Sequence, residues 1–317
     1  MPKISVAQLF EDNRDKLHLE WAAGRSGGDK IIDSEKFRES REGLIGHLNF
    51  IHANWVQVFD QPEIAHLEAL NPAVRQQMLH QLSTSGLACM IVAGGHLAPQ
   101  PLEALADATQ TALFKSPVPS VELMALLRPY LLRALAESIT MHGVLLDVLG
   151  LGVLLTGDSG VGKSELALEL ISRGSGLVAD DVVELHRISP ETIEGRCPPL
   201  LKNYLEVRGL GVLDVRTIFG EAALRPRKNL KLIVHLEKPA GTDQLYLERL
   251  PLKPGAQDIM GVSIHKVTIP VAAGRNLAVL TEAAVRDYVL RLRGIDSTRE
   301  FIERQERQIN GDGPRTP

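Results

Sequence analysis

The residues best equipped for chemistry cluster near the middle of the chain. Gly157, Asp158, Ser159, Gly160, Val161, Gly162, Lys163 and Ser164 read GDSGVGKS, the spacing of a loop that cradles phosphate. Glycines at 157, 160 and 162 permit positive φ, so several backbone N–H groups can converge on one anion. Lys163 has the reach for β- and γ-phosphates, and the Ser164 hydroxyl can ligate Mg²⁺. GVLLTG before the loop has strand character, and ELALELISRG after it has helical periodicity that ends at Gly174. A helix starting at the loop adds unpaired amides and the positive end of its dipole. A nucleoside triphosphate or similar polyphosphate is the expected ligand.

Neighbouring residues decide what becomes of it. Asp180 and Asp181 end the apolar run LVADD shortly after the loop helix. Acids at a strand end beside a phosphate loop suit Mg²⁺ or a general base, and an acid pair in a plain turn looks the same. Adjacent residues of an extended chain face opposite ways, so the two need not share a task. In YLEVRGLGVLDV two glycines interrupt a β-rich run, which predicts a bulge or a close backbone approach to a ligand. Glu206 and Arg208 fall on one face by the period of two: a metal acid with a phosphate-gripping guanidinium, or a surface ion pair. His142, one of ten histidines, stands at the entrance to the strand before the loop, where proton work near neutral pH is one reading and chance placement the other. Gly274–Arg275 follows a strand and a proline, either as a phosphate grip or as a solvated turn.

The elements that must position these groups read as α/β. At 317 residues the chain suits two domains, with 44% hydrophobic and 23% charged residues. A net charge of −4 gives no basic balance for nucleic acid. Cys89 and Cys197 have no metal-ligand spacing and read as reduced thiols. The opening residues lack a signal-peptide core, and GVLLDVLGLGVLLTG is too short to span a membrane. A soluble cytoplasmic protein is expected.

In the first part, Ser5 and Gln8 form a capping box ahead of a helix, and AGRSGGDK reads as a turn or mobile loop. WVQVFD is a strand, EIAHLEAL and VRQQMLHQL are helices, LACMIVAGG is a buried strand and QPLEALADATQTAL a helix. LMALLRPYLLRALAES reads as a helix interrupted at Pro129, which sets the boundary between residues 1–128 and 129–317. The second part continues with strand-like runs and closes on two helices. From these residues alone, a nucleotide-driven switch or ATPase, a small-molecule kinase and a non-catalytic scaffold remain alternatives to a protein kinase.

Taken together, HGVLLDVLGLGVLLTGDSGVGKSELALELISRG, LVADDVVEL, YLEVRGLGVLDV and IPVAAGRNLAVLTEAAV resemble the bifunctional HPr kinase/phosphorylase family of bacteria. The first domain is similar more loosely, through WVQVFD and CMIVAGG. The resemblance implies an N-terminal α/β domain and a C-terminal P-loop kinase domain with a phosphoenolpyruvate carboxykinase-like fold, assembled as a homohexamer. It implies ATP as donor, HPr as the protein substrate phosphorylated on a serine, and reversal by inorganic phosphate with release of pyrophosphate. Residues 157–164 would bind ATP, and Ser164 with Glu206 would ligate Mg²⁺. His142, Lys163, Asp181 and Arg249 fall on the family's active positions. Leu205, Glu206, Val207, Arg208, Gly209, Leu210, Gly211, Val212, Leu213 and Asp214 would serve both directions. Pro270, Val271, Ala272, Ala273, Gly274 and Arg275 would serve dephosphorylation. Val182 and Pro251 depart from the family's usual residues.

Overall fold

The computed structural model describes residues 2–39, 43–48, 54–238, 255–272 and 274–309. It divides into two units, Met1–Glu137 and Ser138–Pro317. The division falls beyond the 128/129 boundary because the helix Ser120–Ala134 runs through Pro129 without a break. Pro129 removes one internal hydrogen bond, but Leu123, Leu127 and Leu131 bury one stripe on both sides of it and hold the helix together.

The first unit is built on a five-stranded sheet in the order Glu20–Ala23, Ala112–Lys115, Cys89–Val92, Asn54–Phe59, Gly43–His47. The last four strands are mutually parallel and Glu20–Ala23 is antiparallel. CMIV, buried at every position, is the continuous apolar run of a strand covered on both faces. One face packs against the helices Val6–Leu17 and Ser120–Ala134. Gln61–Ala69, Pro72–Thr84 and Gln100–Ala108 cover the other.

Two local expectations are corrected here, the capping box and the end of the helix from Gln100, and the turn-or-loop reading of AGRSGGDK is narrowed to a turn. The Ser5 side chain accepts from Gln8 N–H at 3.0 Å, but the Gln8 side chain donates to Asp12, so the cap is half a box. AGRSGGDK is an ordered 3₁₀ turn, Arg25–Asp29, with Gly27 and Gly28 buried. The helix from Gln100 stops at Ala108, because Gln110 takes a φ of 50° and Ala112–Phe114 enter the sheet as buried residues.

The second unit carries a nine-stranded sheet whose main path runs Gly176–Ala179, Val144–Val148, Leu151–Gly157, Arg227–Glu237, Thr192–Arg196, Val182–Ser189, Glu137–His142. The long strand Arg227–Glu237 changes partner along its length. Its first residues pair antiparallel with Glu194–Arg196, and Leu232–Glu237 pair parallel with His265–Pro270. Along its other edge it runs parallel to the strand that ends in the phosphate loop. Strands Leu151–Gly157, Arg227–Glu237 and Val262–Pro270 therefore all deliver their carboxyl ends to one side of the sheet, where ligands of α/β sheets bind. The helix Lys163–Ser172 presses Leu166, Leu170 and Ile171 onto this sheet, each side chain worth about 1.5–3 kcal/mol of burial. Helix Leu277–Leu292 joins the same core through Ala278 and Val285. YLEVRGLGVLDV is a hairpin of two strands, Tyr204–Val207 and Gly211–Asp214, instead of one interrupted run. No helix among the described residues is long and apolar enough to cross a membrane.

Candidate active site

The phosphate loop leaves the buried strand Leu151–Gly157 and enters helix Lys163–Ser172 at once. Gly157, Gly160 and Gly162 have φ of 140°, 70° and 102°, the positive angles a curled loop needs. At Gly157 a side chain would run into the Leu236 carbonyl of the neighbouring strand, so glycine is required for packing as well as for φ. Val161 is 4% exposed and anchors the loop in the core. Lys163 Nζ donates to the carbonyls of Gly157 and Asp158 at 2.9 and 3.0 Å, folding the ammonium back over the loop.

A cavity of ≈170 Å³ opens on the loop, lined by Ser159, Gly160, Gly162, Lys163, Ser164 and Glu165 from the loop and its helix. Val144, Asp180, Asp181, Glu206 and Arg208 complete the lining. The Arg208 guanidinium lies over the loop, 3.2 Å from where a side chain on Gly160 would begin. Three expected groups thus meet in one place: the loop, the second acid of the pair, and the two charged residues of the hairpin. Arg208 reaches it from the hairpin turn and Glu206 from its first strand.

The acid pair splits its work through the backbone. Val182 N–H donates to the Asp180 carbonyl at 2.7 Å, and Asp181 between them has φ of 63°. This is a γ-turn of the rarer, strained hand. It sends the two carboxylates into different surroundings. Asp180 is 5% exposed; one oxygen accepts from the Ser164 hydroxyl at 3.1 Å and the other from Glu206 N–H at 2.8 Å. It ties the start of the loop helix to the strand carrying Glu206. Burial pushes the Asp180 carboxyl above its ordinary value, against the downward pull of the Glu206 N–H and the Ser164 hydroxyl.

Asp181 faces solvent, its side chain 71% exposed, with His142 Nδ1 3.8 Å from its carboxylate. Gly143 N–H donates to the Asp181 carbonyl at 3.1 Å, so the residue that follows His142 and its strand also holds the γ-turn. A side chain at Gly143 would sit 2.5 Å from the Leu155 carbonyl, which only glycine avoids. The sequence reading left Asp180 without a task separate from Asp181, and gave no role to Gly143 or Glu165. An acid at the end of a fully apolar strand was the available signal for Asp180; the turn that separates the pair has no sequence signature.

Pro270 ends the strand Val262–Pro270, on the same side of the sheet as the loop. Val271, Ala272, Gly274 and Arg275 follow it, with Arg275 N–H bonded to the Ala272 carbonyl at 3.3 Å. They do not line the cavity. Asn276 links this segment to the loop helix through a 3.3 Å bond to Glu169. Arg249 and Ala273 lie outside the described residues. Leu205 and Val207 are core residues, Leu210 and Val212 are exposed, Gly209 and Gly211 turn the hairpin, and Leu213 packs on the core. Asp214 caps the short helix Val215–Phe219 by accepting from Thr217 N–H.

The donor set suits Mg²⁺: the Ser164 hydroxyl and the Glu206 carboxylate are hard oxygens on one cavity. Among the described residues no group of three His, Cys, Asp or Glu side chains is arranged to hold a metal alone. Magnesium at phosphate sites commonly takes one or two carboxylates and fills its shell with water and substrate oxygens.

Comparison with known proteins gives the chain's family. Residues 133–305 match the family described as HPr Serine kinase C-terminal domain, and residues 4–131 match HPr Serine kinase N terminus. The HPr kinase/phosphorylase of Nitrosomonas europaea is 55% identical over 98% of this chain and 97% of its own. That of Chromobacterium violaceum is 54% identical over 96% of this chain and 95% of its own. A solved structure, the Hpr(Ser) kinase/phosphatase from Coxiella burnetii, is 36% identical with a TM-score of 0.45, covering 51% of this chain and 98% of that one. On the full-length matches and both domain matches, the chain belongs to the HPr kinase/phosphorylase family.

Proposed function

We propose that this enzyme moves a phosphoryl group from ATP to a serine hydroxyl of HPr, and removes it again with inorganic phosphate, releasing pyrophosphate. The observation that carries this reading is the meeting of an exposed carboxylate, Asp181, with the phosphate loop on one open cavity. A serine hydroxyl is a very weak acid, so transfer gains from a carboxylate that accepts its proton late in the reaction. Asp181 is the base in the forward direction. In reverse the same carboxyl, protonated, returns the proton to the serine oxygen as phosphate attacks phosphorus.

Lys163 and Arg208 face the charge that spreads over the transferring group, and stabilising that charge is most of phosphoryl-transfer catalysis. Arg249 is assigned the same task through the family resemblance. Bound Mg²⁺, held by Ser164 and Glu206, would supply further neutralisation of phosphate charge. Asp180 positions both ligands through its two hydrogen bonds. His142, close to Asp181, adjusts the charge or orientation of that carboxylate. The segment Pro270–Arg275 is assigned to the phosphate-driven direction.

A cytoplasmic homohexamer completes the proposal; light scattering on the purified 34.7 kDa chain tests the assembly. The decisive experiment incubates the full-length protein with Mg²⁺–ATP and HPr, then adds phosphate. One phosphoryl group gained on HPr, followed by its loss with pyrophosphate appearing, is expected. ATP consumed while HPr keeps its mass would overturn the reading.

A further inference from the structure

The phosphate loop is tied down in its middle by the buried Val161 and at its exit by the Ser164–Asp180 hydrogen bond. Its entry residue, Gly157, has no side chain to anchor, and a φ of 140° there starts the curl. The carbonyls of Gly157 and Asp158 hold the Lys163 ammonium, so the place where the chain enters the loop sets where that charge rests.

One side-chain contact fixes this entry. Thr156 and His235 are partners in the parallel register of Leu151–Gly157 and Arg227–Glu237. Their side chains share a hydrogen bond, with Oγ1 and Nδ1 3.0 Å apart. Successive residues of a strand face opposite sides. Leu155, Val234 and Leu236 pack into the core that holds the loop helix, so Thr156 and His235 face away from that helix. Leu154 and Ile233, on either side of this register, are buried in the core of the opposite face, and the polar pair sits half-buried at its rim. Neither residue lines the ≈170 Å³ cavity. The next residue of the strand presses its carbonyl, that of Leu236, against Gly157. The end of Arg227–Glu237 thus fixes the loop entry twice, by a backbone contact that needs glycine and by the imidazole of His235.

We propose that His235 is a positioning residue of the transfer reaction: through Thr156 it holds the phosphate loop in the arrangement that receives polyphosphate. The assignment rests on the reading of residues 157–164 as that loop. A positioning role has a signature that a ligand contact lacks. Without the bond the loop spends part of its time in other arrangements, and the apparent affinity of every ligand falls by the same competent fraction. A group that touches ligand weakens ATP and pyrophosphate by different factors, because the two molecules present different atoms to it. The net worth of one such hydrogen bond corresponds to about a two- to tenfold change in affinity.

The full-length chain is titrated with Mg²⁺–ATP and with Mg²⁺–pyrophosphate by calorimetry, alongside kinase assays on HPr. Thr156→Val and His235→Leu each remove one partner. Both should raise the two dissociation constants by one common factor, about two- to tenfold, with kcat at saturating ATP close to that of wild type. Thr156→Ser keeps the hydroxyl and His235→Asn keeps a polar atom near the Nδ1 position, so these two should bind as wild type does. The double variant should bind no worse than either single one, since all three lack the same bond. The two positions are separate routes to one loss, so if one variant fails to fold the other carries the test. Unchanged constants in Thr156→Val and His235→Leu overturn the assignment and leave an ordinary cross-strand pair. Unequal factors for the two ligands, or a fall in kcat at unchanged affinity, also overturn it. Wild-type protein that binds neither ligand overturns the function of the loop itself, and the assignment with it.

Discussion

Asp181 holds a backbone angle that aspartate and asparagine tolerate better than most residues. Asp181→Asn therefore removes the base while leaving the γ-turn in place. Both directions of transfer should fall by about 10²–10⁴-fold, the usual worth of general acid–base catalysis, with ATP still bound. Paired assays of kinase and phosphorolysis rates check it; near-normal turnover in either direction removes Asp181 from the chemistry. Gly143→Ala approaches the same group from behind. The added methyl meets the Leu155 carbonyl, and relief of that clash, costing about 1–3 kcal/mol, draws Gly143 N–H away from the Asp181 carbonyl. We expect kcat to drop with little change in KM for ATP, since the loop itself is untouched.

Asp180 makes a different, pH-dependent prediction. Its carboxyl binds a proton more tightly when folded than its ordinary value of 3.8 allows. That preference stabilises the fold fully only below the ordinary value and is lost as pH rises through the raised one. Relative to Asp180→Asn, the wild-type Tm should therefore decline from about pH 4 toward neutrality. Parallel slopes for the two proteins would show that the carboxyl has no such preference.

Among the elements, Pro129 marks where sequence reading and structure part. A proline inside a helix costs about 3 kcal/mol locally, yet the leucine stripe of Ser120–Ala134 outweighs it. Pro129→Ala should restore a donor to the helix and raise the Tm of the first unit, measured by calorimetry. The loop, its strand and its helix were legible in the sequence because all their determinants lie within a few adjacent turns of chain. Equally local was the apolar run of Cys89–Val92. The turn at Arg25–Asp29 was legible but its order was not, because its glycines are buried against residues far along the chain, with Gly27 beside Gln110 and Thr111. Nor was the division of labour between Asp180 and Asp181, which depends on one backbone angle and on partners from three other segments. For the hairpin Tyr204–Asp214, the glycines were visible but their meaning was not: a turn and an interruption look alike until pairing is known.

At the scale of the whole molecule, each unit has its own sheet with a core on both faces. The phosphate loop and the residues lining its cavity all belong to the second unit. The strand Arg227–Glu237 has neighbours on both edges from Leu232 to Leu236, while Glu137–His142 ends the sheet. In deuterated buffer the two should behave as clocks of different speed. Amides from Leu232 to Leu236 can exchange only when the whole unit opens, whereas those of the terminal strand exchange by local fraying. The slow clock would then report the folding free energy of the catalytic unit directly, without denaturant.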